Sequence, residues 1–189
     1  MPSETPTDCA TSVLRILQAA RFAAERHAHQ KRKGANQEPY INHLVEVAEL
    51  IASSSAQLDP ELIMAGFLHD TVEDTGATFA ELEERFGSDV AALVAEVTDD
   101  KSLPKETRKH LQVTNAHKKS GRAQTLKLAD KISNLRALLV SPPVGWNMER
   151  KRQYFEWAKA VVSGLNSPNP ILKKEFDRVY NMASQLTES

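Results

Sequence analysis

Between residues 67 and 75 the chain reads Phe-Leu-His-Asp-Thr-Val-Glu-Asp-Thr, which sets one imidazole, His69, and three carboxylates, Asp70, Glu73 and Asp74, directly after an apolar run at 62–68. Residues four apart stack on a helix. His69 therefore lies above Glu73 and Asp70 above Asp74, on rows about 100° apart. Four ionisable groups then share one sector at the edge of a core. Clustered carboxylates repel one another and lose hydration, and a bound cation is the simplest agent that keeps them charged together. The alternative is a solvated helix end with a chance His-Asp pair. Against it, the polar sector directly extends an apolar one.

Three further stretches bear on this chemistry. In 126–136, Leu128, Ile132 and Leu135 form an apolar row while Asp130 and Asn134 stack on a neighbouring one. That pattern fits either a helix with a polar face or a helix that brings a carboxylate and an amide to a buried site. His43 shares a row with Val47 in the segment carrying Leu44, Val47, Ala48 and Ile51, and a lone histidine on an apolar row is more often a core residue than a ligand. The run Gln30-Lys31-Arg32-Lys33-Gly34 suits a helix C-terminus, and contact with phosphate is its other reading. His110 and the Lys118-Lys119-Ser120-Gly121 loop belong to a very polar segment expected on the surface, with its histidines solvated.

The elements that must position these groups all read as helices. A first helix is expected from Thr11 or Ser12, with Leu17, Ala20, Ala24 and His27 on one face and its end in the basic run; residues 1–10 read as a frayed terminus. Asp59-Pro60-Glu61 supplies an N-cap, a first-turn proline and an acidic first turn for a helix running on to Gly76. Thr78 with Glu81 reads as a capping box before Gly87, and Ser88 as the cap of a helix through Val97. Helices follow after Pro104, through 126–136, from an Asn147 cap through Arg150, Tyr154, Trp157, Ala158 and Val161, and after Pro170 through Leu172, Phe176, Val179, Ala183 and Leu186. No stretch alternates with period two, so the expectation is one all-α domain over 11–189.

Composition bounds the partners. With 189 residues, 41% hydrophobic content and a formal net charge of −1, the chain suits one domain with a real core and shows no global signature of a nucleic-acid or membrane surface. Any anion site must be local. Cys9, the single cysteine, excludes an internal disulfide and a thiolate metal cage. No segment is apolar enough to span a bilayer and the first residues do not form a signal peptide, so a cytoplasmic location is expected.

Taken in order, Pro39-Tyr40-Ile41-Asn42-His43, the stretch 68–75, Val97-Thr98-Asp99-Asp100-Lys101 and Lys127-Leu128-Ala129-Asp130-Lys131 with Asn134-Leu135-Arg136 resemble the HD-type hydrolase domain of the RelA/SpoT family, nearest to its stand-alone small alarmone hydrolases of the metazoan SpoT-homologue type. The resemblance runs from about Arg21 to Val162. It implies that His43, His69, Asp70 and Asp130 bind one metal ion, Mn²⁺ by family habit, and that Glu73 and Asp74 are the catalytic carboxylates. Two imidazoles with two carboxylates make an N/O set that suits Mn, Fe or Zn. The resemblance also places Arg32, Lys33, Lys101, Asn134, Arg150 and Tyr154 around the nucleotide. Leu44 and Gly34 depart from the family pattern, which commonly has proline and a polar residue there.

The activity so implied is release of the 3′-pyrophosphate of guanosine tetra- or pentaphosphate, a small-molecule nucleotide, degrading the alarmone without making it. A phosphatase for another nucleotide, such as one acting on the 2′-phosphate of NADPH, would use the same site. A silent alarmone-binding module is the third reading, and Glu73 and Asp74 argue against it, because surplus negative charge opposite phosphates serves no binding protein.

Overall fold

The α8 helix, Gly121–Val140, runs through the middle of the molecule with twelve of its twenty residues buried. Its buried residues lie on more than one face and include Gln124, Lys127, Asp130, Lys131 and Ser133 beside the apolar ones, so other helices must enclose it. Helices α2 (Ile41–Ser53), α3 (Pro60–Leu68), α6 (Ser88–Val97), α9 (Met148–Ser163) and α10 (Pro170–Asn181) all pack on it. Leu126, Leu128, Ala129, Ile132 and Leu135 of α8 are wholly buried, each leucine contributing roughly 2 kcal/mol by leaving water. The structure, a computed structural model, describes residues 6–185, with side chains described for 9–183. Among these residues there is no sheet, only two isolated bridges. The remaining helices are α1 (Pro6–Arg26), α4 (Thr71–Thr75), α5 (Phe79–Phe86) and α7 (Lys105–Thr114), with short 3₁₀ turns at Ala116–Lys118 and Met182–Gln185.

Several helix starts are as the sequence implies. Asp59 accepts the Leu62 N–H at 3.0 Å with Pro60 in the first turn, and Asn147 accepts from Arg150 N at 2.9 Å. Thr78 accepts from Glu81 N at 3.1 Å, but only half of the expected capping box forms, because the Glu81 carboxylate turns to Arg26 and Arg85. Ser88 is not a cap: Gly87 takes that position and no side chain bonds the first N–H groups.

The first helix departs further from expectation. It begins at Pro6, so the supposed frayed terminus is helical over 6–10, and it stops at Arg26 before the basic run. Its buried stripe is Ala19, Phe22 and Ala23, with Leu17 61% exposed, so the expected face is displaced around the axis. Both changes have tertiary causes. After a turn at 27–29, the basic run finds partners better than helix continuation offers: Arg32 N donates to Glu38 O at 2.8 Å, Tyr40 N to Gln30 O at 3.0 Å and Ala35 N to Pro142 O at 3.2 Å. Lys31 bridges Pro39, and Gly34 bridges Pro143. A Cβ at Gly34 would sit 2.3 Å from the Ser141 carbonyl oxygen, so the α8–α9 connection approaches too closely for any side chain there. Leu186 of the last expected helical row lies outside the described residues.

The helix through the central motif is also interrupted. Helix α3 ends at Leu68, and His69 (φ −59°, ψ −32°) with Asp70 (φ −98°, ψ −4°) has the dihedrals of a type I turn. Helix α4 then resumes, its first bond joining Asp74 N to Asp70 O at 2.8 Å. The expected stacking of Asp70 and Asp74 thus survives as one turn.

Helix α3 lies close against α2 at Gly66, where a Cβ would meet Ile51 Cδ1 at 2.9 Å and the Ala48 Cα at 3.2 Å. This crossing fixes the separation of His43 on α2 from His69 at the end of α3. Gly66→Val, which adds a branched side chain to a filled contact, is expected to destabilise the fold by about 1–3 kcal/mol. A lowered urea midpoint at unchanged m-value checks it, and an unchanged midpoint would show that the crossing has slack.

Candidate metal centre and nucleotide cavity

Four side chains from three parts of the chain converge beside α8: His43 from α2, His69 and Asp70 from the turn after α3, and Asp130 from α8 itself. His43 Nε2 lies 3.5 Å from Asp130 Oδ1 and 3.7 Å from Asp70 Oδ2, and His69 Nε2 lies 3.1 Å from Asp70 Oδ2 and 4.0 Å from Asp130 Oδ1. Donor atoms of His43, His69 and Asp130 all fall within 4.8 Å of one another. His43 is therefore not merely a core histidine.

The outer atoms of both rings settle their tautomers. Ser133 Oγ donates to the Glu46 carboxylate at 2.6 Å, so it must accept from His43 Nδ1 at 2.8 Å. His69 Nδ1 likewise donates to the Gly66 carbonyl at 2.9 Å. Both Nε2 lone pairs thus point inward at two carboxylates, and the buried His69 Nε2 finds no hydrogen-bond partner among the described residues. Acceptors facing acceptors need a cation between them. Protonation answers the same need: burial opposes charge on His69, yet Asp70 and Asp130 outweigh it and raise the pKa to about 9. His43 moves the other way, lowered chiefly by burial. Burial also works against charge on Asp70 and Asp130, but His69 for the first and Lys131 for the second hold both well below the usual carboxylate range. Two neutral imidazoles and two anionic carboxylates fit a divalent metal ion.

Hydrogen bonds orient the carboxylates. Tyr40 donates to Asp70 Oδ2 at 2.6 Å; Lys131 Nζ lies 3.1 Å from Asp130 Oδ2, and Asn134 Nδ2 donates to Asp130 Oδ1. Such outer partners fix ligand geometry and basicity. Glu73 stands beside this centre, accepting weakly from Asp99 N at 3.4 Å and facing Arg108 at 3.5 Å, with its pKa raised by burial and then by Asp70 and Asp99. Asp74 is held by Lys101 at 2.6 Å and Gln30 at 2.9 Å.

Tyr40, Asp74 and Asn134 also form part of the wall of a cavity of about 510 Å³. Its size suits a nucleotide. Lys31, Arg32, Lys33 and Lys105 supply positive charge, and Trp146 and Tyr154 an aromatic surface with ring centroids 5.8 Å apart. Arg32 reaches back to Asn134 Oδ1 at 3.1 Å, joining the basic loop to the amide that bonds Asp130. The pKa of Lys105 is lowered by burial and by Arg150 and Lys109, a sign of concentrated positive charge.

Of the expected substrate residues, Arg32, Lys33, Asn134 and Tyr154 line this cavity and Lys101 and Arg150 do not. Lys101 pairs with the carboxylates of Asp74 and Glu73, and the Arg150 guanidinium lies 4.4 Å from the Trp146 ring centroid. Sequence reasoning missed Lys31, Lys105, Tyr40, Trp146 and Arg108. Tyr40 stands in the 39–43 motif and Lys31 in the basic run, so their positions carry a signal. Lys105 and Arg108 belong to the helix read as mere surface, and no pattern places Trp146. His110 and His117 are exposed, as expected.

Comparison with known proteins agrees with the geometry. An HD-domain family model matches residues 19–154. The chain is 45% identical over 172 residues to the Drosophila melanogaster guanosine-3′,5′-bis(diphosphate) 3′-pyrophosphohydrolase MESH1, covering 91% of this chain and 96% of that one. It is 48% identical over 165 residues to the Xenopus tropicalis MESH1, covering 87% and 92%. A solved structure described as a metazoan orthologue of SpoT that hydrolyses ppGpp superposes with a TM-score of 0.86 at 45% identity, over 91% of this chain and 97% of that one. The chain belongs to the HD-domain family, among its MESH1-type 3′-pyrophosphohydrolases.

Proposed function

We infer that this protein hydrolyses the 3′-pyrophosphate of guanosine tetra- or pentaphosphate, giving GDP or GTP and pyrophosphate, with one divalent ion, Mn²⁺, held by His43, His69, Asp70 and Asp130. The observation that carries this reading is the junction of two environments: inward-facing acceptors on one side and a cationic, aromatic cavity on the other, sharing Tyr40 and Asn134. A cation site alone would serve many reactions. Joined to a nucleotide-sized basic cavity, it serves hydrolysis of a nucleotide phosphate.

When bound, the ion supplies Lewis acidity and a lowered pKa for water. Water attacks the phosphorus bonded to the 3′ oxygen, the O3′–P bond breaks, and the 3′ oxygen takes up a proton. Glu73 takes the proton from the attacking water: its raised pKa makes it a stronger base than an ordinary carboxylate, and Asp99 N and Arg108 fix its direction. Asp74 is the second acid/base group, steadied by Lys101 and Gln30. Lys31, Arg32, Lys33 and Lys105 offset the phosphate charge, and Trp146 and Tyr154 offer faces on which a base can stack. Asn134 couples the two halves, since it bonds both Asp130 and Arg32. A cytoplasmic location goes with this reading, and the free Cys9 accords with a reducing compartment.

Purified protein with Mn²⁺ is expected to release pyrophosphate from guanosine tetraphosphate faster than it releases orthophosphate from NADPH at equal concentration. A preference for NADPH would transfer the site to 2′-phosphate hydrolysis, and tight binding without turnover would make the protein a silent alarmone receptor.

Two substitutions separate the metal shell from the chemical step. Mn²⁺ at a hundredfold above its Kd stabilises the folded state by about 2.7 kcal/mol, or roughly 5–10 °C in melting temperature for a chain of this size. His69→Ala is expected to abolish that shift together with bound metal and activity. Glu73→Gln keeps metal and shift but turns over roughly 10²-fold more slowly, the scale of losing a general base. Elemental analysis, thermal melts with and without Mn²⁺ and initial rates decide; metal loss in both variants would make Glu73 a ligand.

A further inference from the structure

His27 is buried, 2% exposed, just past the end of α1, and it neither joins the metal centre nor lines the cavity. Its ring makes two connections toward the site. Nδ1 lies 2.6 Å from Gln30 Oε1, and the ring face stacks on Tyr40 with centroids 5.1 Å apart and planes 19° from parallel. Nε2 is buried and finds no hydrogen-bond partner among the described residues.

The chemistry of the next link fixes the direction of the whole chain. Asp74 Oδ2 is a carboxylate oxygen and accepts only, so the Gln30 group 2.9 Å from it must be the amide NH₂. That choice aims Gln30 Oε1, an acceptor, at His27, and His27 Nδ1 must then carry a proton. The backbone holds Gln30 as well, since its N–H donates to His27 O and its carbonyl accepts from Tyr40 N, both at 3.0 Å. The other Asp74 oxygen is held by Lys101, a long side chain that is 49% exposed. One oxygen of Asp74 is therefore held by an exposed side chain and the other by one whose own backbone and amide are bonded in place.

We propose that His27 is a positioning residue for hydrolysis: its Nδ1–H locks the Gln30 amide, and Gln30 in turn holds the Asp74 carboxylate in its working orientation. The role belongs to the imidazole donor and not to the bulk of the ring. It rests on the reading of Asp74 as an acid/base group. A buried histidine that merely fills space would work equally well with either nitrogen protonated and with any ring of similar size.

Two sets of measurements on the full chain test this. Nitrogen-15 NMR of the wild-type protein is expected to show His27 protonated at Nδ1 and bare at Nε2; the opposite tautomer would turn the Gln30 oxygen toward Asp74 and overturn the proposal. His27→Phe keeps a ring against Tyr40 and removes the donor, while His27→Asn keeps a donor near the Nδ1 position and removes the ring. The expected result is a kcat lowered roughly 10-fold in His27→Phe at unchanged KM and metal content, with most of the rate recovered in His27→Asn. The reverse order, or losses in step with metal content and melting temperature, would make His27 a packing residue. In an Asp74→Asn background, His27→Phe should add no further loss. If Asp74→Asn leaves kcat unchanged, the reading of Asp74 fails and takes the proposal with it. If Asp74→Asn slows turnover while His27→Phe does not, the proposal alone fails.

Discussion

Everything near the active centre depends on one constraint: the buried His43, His69 and Asp130 and the half-buried Asp70 face one another, and without a cation their lone pairs oppose one another. Burying unpaired charge costs several kcal/mol per ion even after relaxation, so such an arrangement persists only where something positive answers it. The fold supplies part of the answer. Lys131 lies against Asp130, Tyr40 donates to Asp70, and Asp70 and Asp130 raise the His69 pKa against the effect of burial. In the proposed site a divalent ion held by His43, His69, Asp70 and Asp130 would supply the rest. The ring tautomers are set from outside, by Ser133 and the Gly66 carbonyl, so the inward lone pairs do not depend on the ion for their direction.

That constraint also explains the break in the central helix. Had the helix continued through His69 and Asp70 at full regularity, both side chains would have followed the helical rows. Instead the pair occupies a type I turn, with Asp70 in the sparsely populated bridge region where functional residues often sit. His69 Nδ1 reaches back to the Gly66 carbonyl and Asp70 Oδ2 comes within 3.1 Å of His69 Nε2. Two adjacent residues thereby serve one centre, which neighbouring positions 100° apart on an ideal helix do poorly.

The parts legible in the sequence were those governed by local rules. Asp59, Thr78 and Asn147 cap helices because a short polar side chain reaches an N–H two or three residues on, wherever the rest of the chain lies. The convergence of His43, His69, Asp70 and Asp130 was not legible from spacing, since His43 and Asp130 stand 87 positions apart; it entered through the ordered family motifs. What stayed hidden was decided by long-range contact. The basic run leaves the helix because Glu38 and Pro142 offer backbone partners, and α1 buries Ala19, Phe22 and Ala23, with Phe22 packed edge-on against Phe86, rather than the face of Leu17. Lys105 and Arg108 looked like surface because their helix has no apolar face, yet they border the cavity and Glu73. A polar face turned toward a polar site has the same pattern as one turned toward water.

The charge layout has a further consequence for how the two halves of the site divide their work. Lys127 and Lys131, four apart on α8, are both buried behind Asp130, and burial followed by the Lys131 charge lowers the Lys127 pKa. Lys127 is steadied by donating to the Val97 carbonyl at 3.2 Å, and Lys131 lies 4.3 Å from the Trp157 ring centroid. These cations sit on the protein side of the carboxylates, whereas Lys31, Arg32, Lys33 and Lys105 sit on the cavity side. The carboxylates are thus flanked by positive charge on both faces. The inner pair lowers the Asp130 pKa whatever the cavity holds, and in the proposed reaction the outer group would meet the phosphates, which bring their own negative charge. Were the outer cations alone present, phosphate binding would withdraw them from the carboxylates at the moment those groups must remain charged. Separate sets of cations remove that competition.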